Sequence, residues 1–270
     1  MIRRAIKAAC RAALLLTPGL LGGAAPGDGT GLIEGMRLAH VLPLRGEIFH
    51  VQGIEVEGDH IWVTSVDRRE HRGYLHRFDR ESGRLERRLE VTDGVRYHPG
   101  GISIANGSIW VPVAEMRPDS SAVLMEIDAK SFKVRRRIYV ADHLGCVAAS
   151  GSRLIAGNWN SSMLYIIDLT NRRPMRAVPN PSATHYQDMK FVGDQLVAGG
   201  SRSLWSGTLD WIDVPTMTVT RSLRAGSVGP VRPFGRGGPY TGEGVTIDGR
   251  DVYVLPEDGP GRVYRFRLLD

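Results

Sequence analysis

The sequence predicts an all-β protein, a five-bladed β-propeller in which an N-terminal strand closes the ring. A short phrase, led by histidine in four of its five copies, recurs along the chain, and each copy runs into a similar pair of short strands. The spacings between copies are 48, 45, 42 and 56 residues, with starts at His50, His98, His143, His185 and Thr241. A period of about 40–50 residues built from short strands is typical of propellers.

Each repeat divides into four predicted strands. In the first repeat, strands at 50–57 and 60–66 flank a Gly58–Asp59 turn, and further strands follow at 74–79 and 84–91. Glycine, aspartate and asparagine occupy the turns, where they tolerate backbone angles that other residues avoid. The predicted blades cover residues 50–91, 98–140, 143–178, 185–224 and 241–268.

The fifth repeat has no fourth strand of its own. Residues 36–42 (MRLAHVL) resemble fourth strands such as 85–91 (LERRLEV), so we expect them to fill that place. Closing the ring in this way removes exposed sheet edges. Residues 225–239 contain five glycines and three prolines without a strand pattern. Because such long loops are uncommon unless they serve a function, we interpret this segment as a lid beside the histidines.

The first 25 residues are predicted to be a signal peptide, which leaves residues 26–270 as the propeller domain. Arg3, Arg4 and Lys7 precede a mostly apolar stretch and then small residues, the order typical of an export signal. The arginine pair fits the twin-arginine (Tat) route as well as the general secretory (Sec) route. The apolar stretch is too short to span a membrane. We therefore expect a periplasmic or extracellular protein.

The net charge of +6 belongs mostly to the predicted signal peptide. Residues 1–25 hold four basic residues and no acidic ones, so 31 basic and 29 acidic residues remain after them. This balance excludes the strongly basic surface that is typical of nucleic-acid binding. Cys146 is the one cysteine after the predicted signal peptide, so no internal disulfide is expected.

Equivalent positions of a propeller surround one axis, so the repeat predicts a ring of polar side chains at one mouth. Neutral imidazoles suit Zn, Fe, Cu or Ni, and the predicted metal ligands are His50, His98, His143 and His185. The predicted ligand-binding residues are Gln52, Gln187, Asn158, Trp159, Glu115 and Arg202. Convergent polar groups in a concave site favour a small-molecule ligand.

Three interpretations of the histidines remain open from sequence. The imidazoles bond to neighbouring backbone and lock the ring, or they hold one transition metal, or they bind and protonate a substrate. Glu243 and Asp188 break the glycine pattern of the other blades, and we predict them as the catalytic candidates of an enzyme. The chain has no nucleophile-elbow, phosphate-loop or zinc-protease motif.

From Phe49 to Asp59 (FHVQGIEVEGD) the chain resembles the glutamine cyclotransferases, which are secreted five-bladed propellers. Gly242-Glu243-Gly244 and Gln187-Asp188-Met189 are similar to phrases in later blades of that family. The resemblance implies the fold, secretion and a glutaminyl-cyclase-like activity. The family's glutamate after the second strand of blade one has no counterpart, because 63–66 (VTSV) stand there. The chain is similar to the YVTN-type propellers as well. Together these two partial resemblances imply that it is a member of an uncharacterised family of propellers.

The sequence thus predicts an exported propeller that binds a small molecule, with a histidine-lined axial site suited to a metal. One alternative is a hydrolase, lyase or glutaminyl-cyclase-like enzyme that uses a carboxylate at the same mouth. A second alternative is a non-catalytic interaction scaffold, for which each histidine would be buried and bonded to backbone. A metal site instead requires imidazole nitrogens that converge. We expect a monomer that neither binds nucleic acid nor spans a membrane.

Overall fold

The computed structural model describes residues 32–170, 175–228, 237–257, 259 and 261–269. These residues form five antiparallel sheets, each of which is one blade, and the all-β five-bladed prediction is confirmed. Within the same ranges, no helix has the length and apolar character needed to cross a membrane. The predicted signal peptide and positions 229–236 of the predicted lid lie outside the described residues.

The strands run in chain order around the ring. The first is β1 (Met36–Pro43), and blade one follows with β2 (His50–Glu57), β3 (His60–Asp67), β4 (Arg72–Asp79) and β5 (Leu85–Glu90). Blade two contains β6 (His98–Pro99), β7 (Ser103–Ala105), β8 (Ser108–Ala114), β9 (Ala122–Asp128) and β10 (Val134–Val140). Blade three contains β11 (Leu144–Ser150), β12 (Arg153–Asn158), β13 (Met163–Asp168) and β14 (Arg176–Pro179). Blade four contains β15 (His185–Val192), β16 (Gln195–Ser201), β17 (Gly207–Asp213) and β18 (Thr218–Ala225). Blade five contains β19 (Gly244–Asp248), β20 (Asp251–Leu255) and β21 (Arg262–Leu268).

Blade five is completed by the strand that precedes blade one. β1 pairs antiparallel with β21, from Met36 opposite Leu268 to Pro43 opposite Arg262. The strand order in this sheet is β1-β21-β20-β19, which confirms the predicted closure. Met36 is buried in the same apolar cluster as Phe266, so the closing strand contributes to the core as well as to the ladder.

The inner strands approach each other so closely that the narrow axis requires glycine. A Cβ on Gly100 would lie 1.9 Å from the carbonyl oxygen of Gly145, and one on Gly53 would lie 2.6 Å from the Cα of Gly101. Blade two divides its inner strand at this point. β6 and β7 both pair with β8, while Gly101 exchanges backbone hydrogen bonds with Gly145 and Val147 of blade three. The glycine pattern of the repeats is therefore a packing requirement.

Apolar side chains fill the spaces between neighbouring blades. Trp62 is 1% exposed and stacks on Phe132 of blade two with ring centroids 5.3 Å apart. Trp110 occupies the equivalent position in the cluster shared by blades two and three. Burial of these large rings removes much apolar area from water, which is the main force that holds one blade to the next.

Candidate functional site

Blades one and five bring an imidazole and two carboxylates together at one mouth of the ring. His50 is the first residue of β2, Glu243 immediately precedes β19, and Glu257 follows the end of β20. One ligand atom from each side chain lies within 4.8 Å of those from the other two. In the part of the chain that the structure describes, no other three His, Cys, Asp or Glu side chains come this close. We call these three residues the mouth cluster.

The contact between His50 and Glu257 is close but is not a hydrogen bond. Nδ1 of His50 lies 2.8 Å from Oε1 of Glu257, and the two side chains are 12% and 28% exposed. No described residue forms a hydrogen bond with the enclosed Nδ1, although its distance to Glu257 is that of an ion pair when the imidazole is protonated. Buried polar atoms are nearly always paired, so a proton or another cation is expected between this nitrogen and Glu257.

Glu243 is the carboxyl of the mouth cluster whose pKa is strongly displaced, although its side chain is only half-buried. Burial raises the pKa of Glu243 well above its usual range, and the negative charge of Glu257 raises it further. The Arg68 guanidinium opposes both effects and lowers the pKa. Two carboxylates that no hydrogen-bond donor bridges repel each other. The space between Glu243 and Glu257 therefore favours a proton or another cation.

A cavity of about 300 Å³ opens beside the mouth cluster, between blade one and the β20–β21 loop. Four of its lining residues are apolar and are called the apolar wall: Ile48, Phe49, Val51 and Val66. Four others are ionisable and are called the ionic end: His50, Asp67, Arg68 and Glu257. Asp67 accepts hydrogen bonds from the backbone N–H groups of residues 69 and 70, which fix the β3–β4 turn. Arg68 lines the cavity and forms no salt bridge with any other described residue, although its charge is close enough to act on Glu243.

Two more of the predicted histidines lie side by side further round the mouth. The ring centroids of His98 and His143 are 5.6 Å apart, and those of His143 and Trp159 are 4.5 Å apart in an edge-to-face arrangement. Nδ1 of His143 lies 3.2 Å from the carbonyl oxygen of Arg117, whereas the buried Nδ1 of His98 has no hydrogen-bond partner among the described residues. Burial, with smaller contributions from His143, His50 and Arg68, lowers the pKa of His98 to about 3.

The four predicted metal ligands do not meet at one point. His185 is exposed at the start of β15, while His143 is 1% exposed. Among the described residues, no three of the four imidazoles form a group of ligand atoms within 4.8 Å of one another. His98 and His143 are neighbours, but His50 belongs to the mouth cluster and His185 is exposed, so the four imidazoles do not share one site.

The predicted ligand-binding residues are spread over the mouth, and several have local partners. Gln52 is buried and donates to the carbonyl oxygen of Val51 at 2.9 Å. Glu115 accepts hydrogen bonds from Ser121 and Arg117, which lower its pKa. Trp159 lies next to Asn158, whose side chain accepts from a backbone N–H in its own turn. Arg202 is exposed and Gln187 is half-buried.

Asp188 lies at the axis and not at the mouth. Its carboxylate accepts hydrogen bonds from the backbone N–H groups of Ile54, Met189 and Val245 at 3.0, 3.0 and 3.2 Å. The Lys190 ammonium donates to the same carboxylate at 2.6 Å. Burial raises the pKa of Asp188 to about 7, and Lys190 opposes this rise. These four donors occupy both carboxylate oxygens and tie blade four to blades one and five.

Residues 46–207 match the model of a family described as a family of unknown function, DUF6454. The chain belongs to this family. The matched span contains His50 and Arg68 and ends before the two glutamates of the mouth cluster. No curated protein matches the sequence significantly.

Solved structures share the fold of this DUF6454 chain at low sequence identity. A glutaminyl cyclase from Myxococcus xanthus superposes with a TM-score of 0.62 and 12% identity, covering 87% of this chain and 97% of that one. A chain of a mitotic checkpoint complex gives a TM-score of 0.50 and 13% identity, covering 96% and 99%. These similarities support the propeller architecture alone; at this sequence identity they say nothing about the activity of this chain.

Two residues of this candidate site were missed by sequence reasoning. Glu257 follows the second strand of the incomplete fifth repeat, and Arg68 lies in the β3–β4 turn. Both are outside the blade starts at which the repeats align best. The signal that could have found them is the end of each second strand, because Arg68 follows β3 and Glu257 follows β20.

Proposed function

We propose that this protein is an exported propeller that binds a small organic molecule at the mouth between blades one and five. The observation that carries the proposal is the cavity of about 300 Å³ with one apolar wall and one ionic end. Ligand sites are typically concave and largely apolar, with a few placed polar groups, and this volume is near the small end of their usual range.

The composition of the cavity favours a ligand with an apolar body and an anionic head. The apolar wall includes Phe49 and Val66, against which a hydrocarbon or ring lies without loss of hydrogen bonds. At the ionic end, Arg68 offers a planar guanidinium that suits a carboxylate. The proposed ligand class is therefore a small organic carboxylate.

A binding screen with matched arginine variants tests this proposal. Small carboxylates are ranked by the rise in melting temperature that they cause, and their dissociation constants are measured by calorimetry. Arg68→Gln is expected to weaken binding about tenfold or more, because a charged hydrogen-bond partner is lost. Arg69→Gln is the control, since the side chain of Arg69 is 92% exposed and, among the described residues, forms its ion pair with Glu70. Equal effects of the two variants would contradict the proposal.

The proposed location, outside the cytoplasm, rests on the sequence of residues 1–25. Cell fractionation of the full chain in a bacterial host tests it. We expect the processed protein in the periplasm or the medium, and a version with Arg3 and Arg4 replaced by Lys distinguishes twin-arginine from Sec export. An unprocessed cytoplasmic product would contradict export.

The second candidate function is an enzyme that uses Glu243. Of the two predicted catalytic carboxyls, Glu243 lies at the mouth beside His50, whereas Asp188 is enclosed by its four donors. The test uses the carboxylate that the binding screen identifies. Its conversion by the protein is measured by mass spectrometry. For an enzyme, Glu243→Gln abolishes turnover and retains binding. If the wild-type protein binds the carboxylate but forms no product, the enzyme is excluded and the binding function remains.

A further inference from the structure

We propose that His50, Glu243 and Glu257 bind one divalent transition-metal ion at the inner end of the cavity. This ligand set differs from the ring of four histidines, because it takes one imidazole from blade one and two carboxylates from blade five. It also goes beyond the proposed function, since a metal binds here whether or not an organic ligand is present.

The geometry of the mouth cluster suits a metal ion. Bonds of about 2.0–2.2 Å from one metal to nitrogen and oxygen place neighbouring ligand atoms about 3–3.5 Å apart. The three ligand atoms already lie within 4.8 Å of one another, and the Nδ1–Oε1 pair of His50 and Glu257 is 2.8 Å apart. Small side-chain rotations therefore complete a three-ligand site without movement of the strands.

A second observation points to a missing cation. Nδ1 of His50 is enclosed and has no hydrogen-bond partner among the described residues. Likewise, no hydrogen-bond donor reaches the Glu243 carboxyl from any described residue. One imidazole and two carboxyls thus face one another, and no hydrogen bond joins any two of them. Such a group is costly when desolvated and becomes favourable around a positive ion.

The backbone holds the ligands from separate, rigid elements. His50 pairs with Val66 in the β2–β3 ladder, and Glu243 enters β19 through Gly244. The carbonyl oxygen of Glu257 accepts a hydrogen bond from the N–H of Gly237 at 2.7 Å. These strand pairings and this hydrogen bond hold the main chain of each metal-binding residue before an ion binds. The entropy cost of binding is lower as a result.

One imidazole and two carboxylates select a class of metal. Imidazole suits Zn, Cu, Fe and Ni, whereas carboxylates also accept Mn, so the site is suited to Zn²⁺ and related first-row ions. Three protein ligands leave at least one coordination position open, the arrangement of catalytic zinc sites. His50 and Glu257 both line the cavity, so the open position faces the space next to Arg68.

Calorimetry with Zn²⁺ and Mn²⁺ tests the inference on the purified protein, expressed without a metal-binding tag and stripped with a chelator. We expect one Zn²⁺ per chain with a Kd below about 10 µM. His50→Ala and Glu257→Gln each weaken binding at least about tenfold, while thermal unfolding shows that both variants remain folded. His98→Ala is the control and retains the wild-type affinity.

Two results would overturn the inference. The first is no saturable binding of either ion by the wild-type protein. The second is a loss of Zn²⁺ affinity in His98→Ala or His143→Ala that equals the loss in His50→Ala, because that pattern assigns the metal to the histidine ring. Since all titrations are made without carboxylate, their outcome is independent of the Arg68→Gln comparison, and either proposal can fail alone.

Discussion

The Lys190 ammonium lies 2.6 Å from the Asp188 carboxylate at the propeller axis, with side-chain exposures of only 5% and 0%. Lys190 also donates to the carbonyl oxygen of Ile102 in blade two. A second buried carboxylate, Glu55, accepts from Thr246 of blade five and from the N–H of Ile104. Burial raises the pKa of Glu55, and the charge of Lys190 opposes this rise. This charged group joins the inner strands of four blades.

Asp188→Ala is expected to destabilise the protein strongly. The substitution leaves the Lys190 ammonium buried without its carboxylate and removes the acceptor of three backbone N–H groups. Breaking a buried ion pair in this way costs about 3–5 kcal/mol. Denaturant unfolding measures the loss, with Glu90→Gln as the control because the Arg72–Glu90 pair is exposed. The control is expected to lose less than about 1 kcal/mol. Similar losses in both variants would refute the structural role of Asp188.

Two glycines at equivalent blade positions are expected to differ in their tolerance of alanine. A Cβ on Gly100 would overlap the carbonyl oxygen of Gly145, at 1.9 Å, whereas a Cβ on Gly145 meets its nearest atom at 3.4 Å. Gly100→Ala therefore costs at least about 1–3 kcal/mol, and Gly145→Ala costs less. Melting temperatures of the two variants check this. If Gly145→Ala destabilised the protein more than Gly100→Ala, the spacing of the inner strands would differ from the one described above.

Acid is expected to destabilise the fold partly through His76. Burial, with help from the charge of Arg88, lowers the pKa of this imidazole to about 3, while its usual value is 6.5. Between these pH values the unfolded chain binds more protons than the folded one, so the free energy of unfolding falls as the pH falls. The slope is at most about 1.4 kcal/mol per pH unit for one histidine.

Unfolding of the wild-type protein and of His76→Asn at pH 7 and pH 5 measures this contribution. The variant loses the bond between Ser65 and Nε2 of His76, so it is less stable at both pH values. Its loss of stability between pH 7 and pH 5 is nevertheless expected to be smaller by up to about 2 kcal/mol. Parallel losses in the two proteins would show that His76 is not the titrating group.

The histidines of blades three and four are expected to respond differently to alanine. His143 is 1% exposed, contacts Trp159 and lies next to the carbonyl oxygen of Arg117. His143→Ala removes this packing and is expected to cost about 1–3 kcal/mol. His185→Ala, at an exposed position, is expected to change stability by less than about 0.5 kcal/mol. Thermal unfolding distinguishes the two, and equal effects would argue against a structural role for His143.

The fold could be predicted from the repeats because each blade packs against its neighbour through the same residue types. Trp62 and Trp110 recur between blades, and the MRLAHVL segment supplies the strand that the fifth repeat lacks. The inner glycines were visible as a pattern, although only the structure gives their cause. Gly100 stands where the backbone of blade three leaves no space for a side chain.

The site was less predictable because it combines positions that do not recur. The sequence placed His50 and Glu243 at the mouth, and the structure brings them together with Glu257. It did not indicate that the four histidines fail to meet at one point, because ring positions in a repeat do not give side-chain distances. The lid prediction for residues 225–239 stays a prediction, although Ser227 forms a bridge with Pro239 at the two ends of the segment.

The most direct test of a ligand site at this mouth is a crystal structure of the protein with the best carboxylate from the screen. We expect the carboxylate head against Arg68 and the apolar body against Phe49 and Val66, beside the mouth cluster. Density instead in the separate cavity between blades one and five that contains Arg80 and Tyr253 would contradict the account. So would a complex in which the Arg68 guanidinium makes no contact with the ligand.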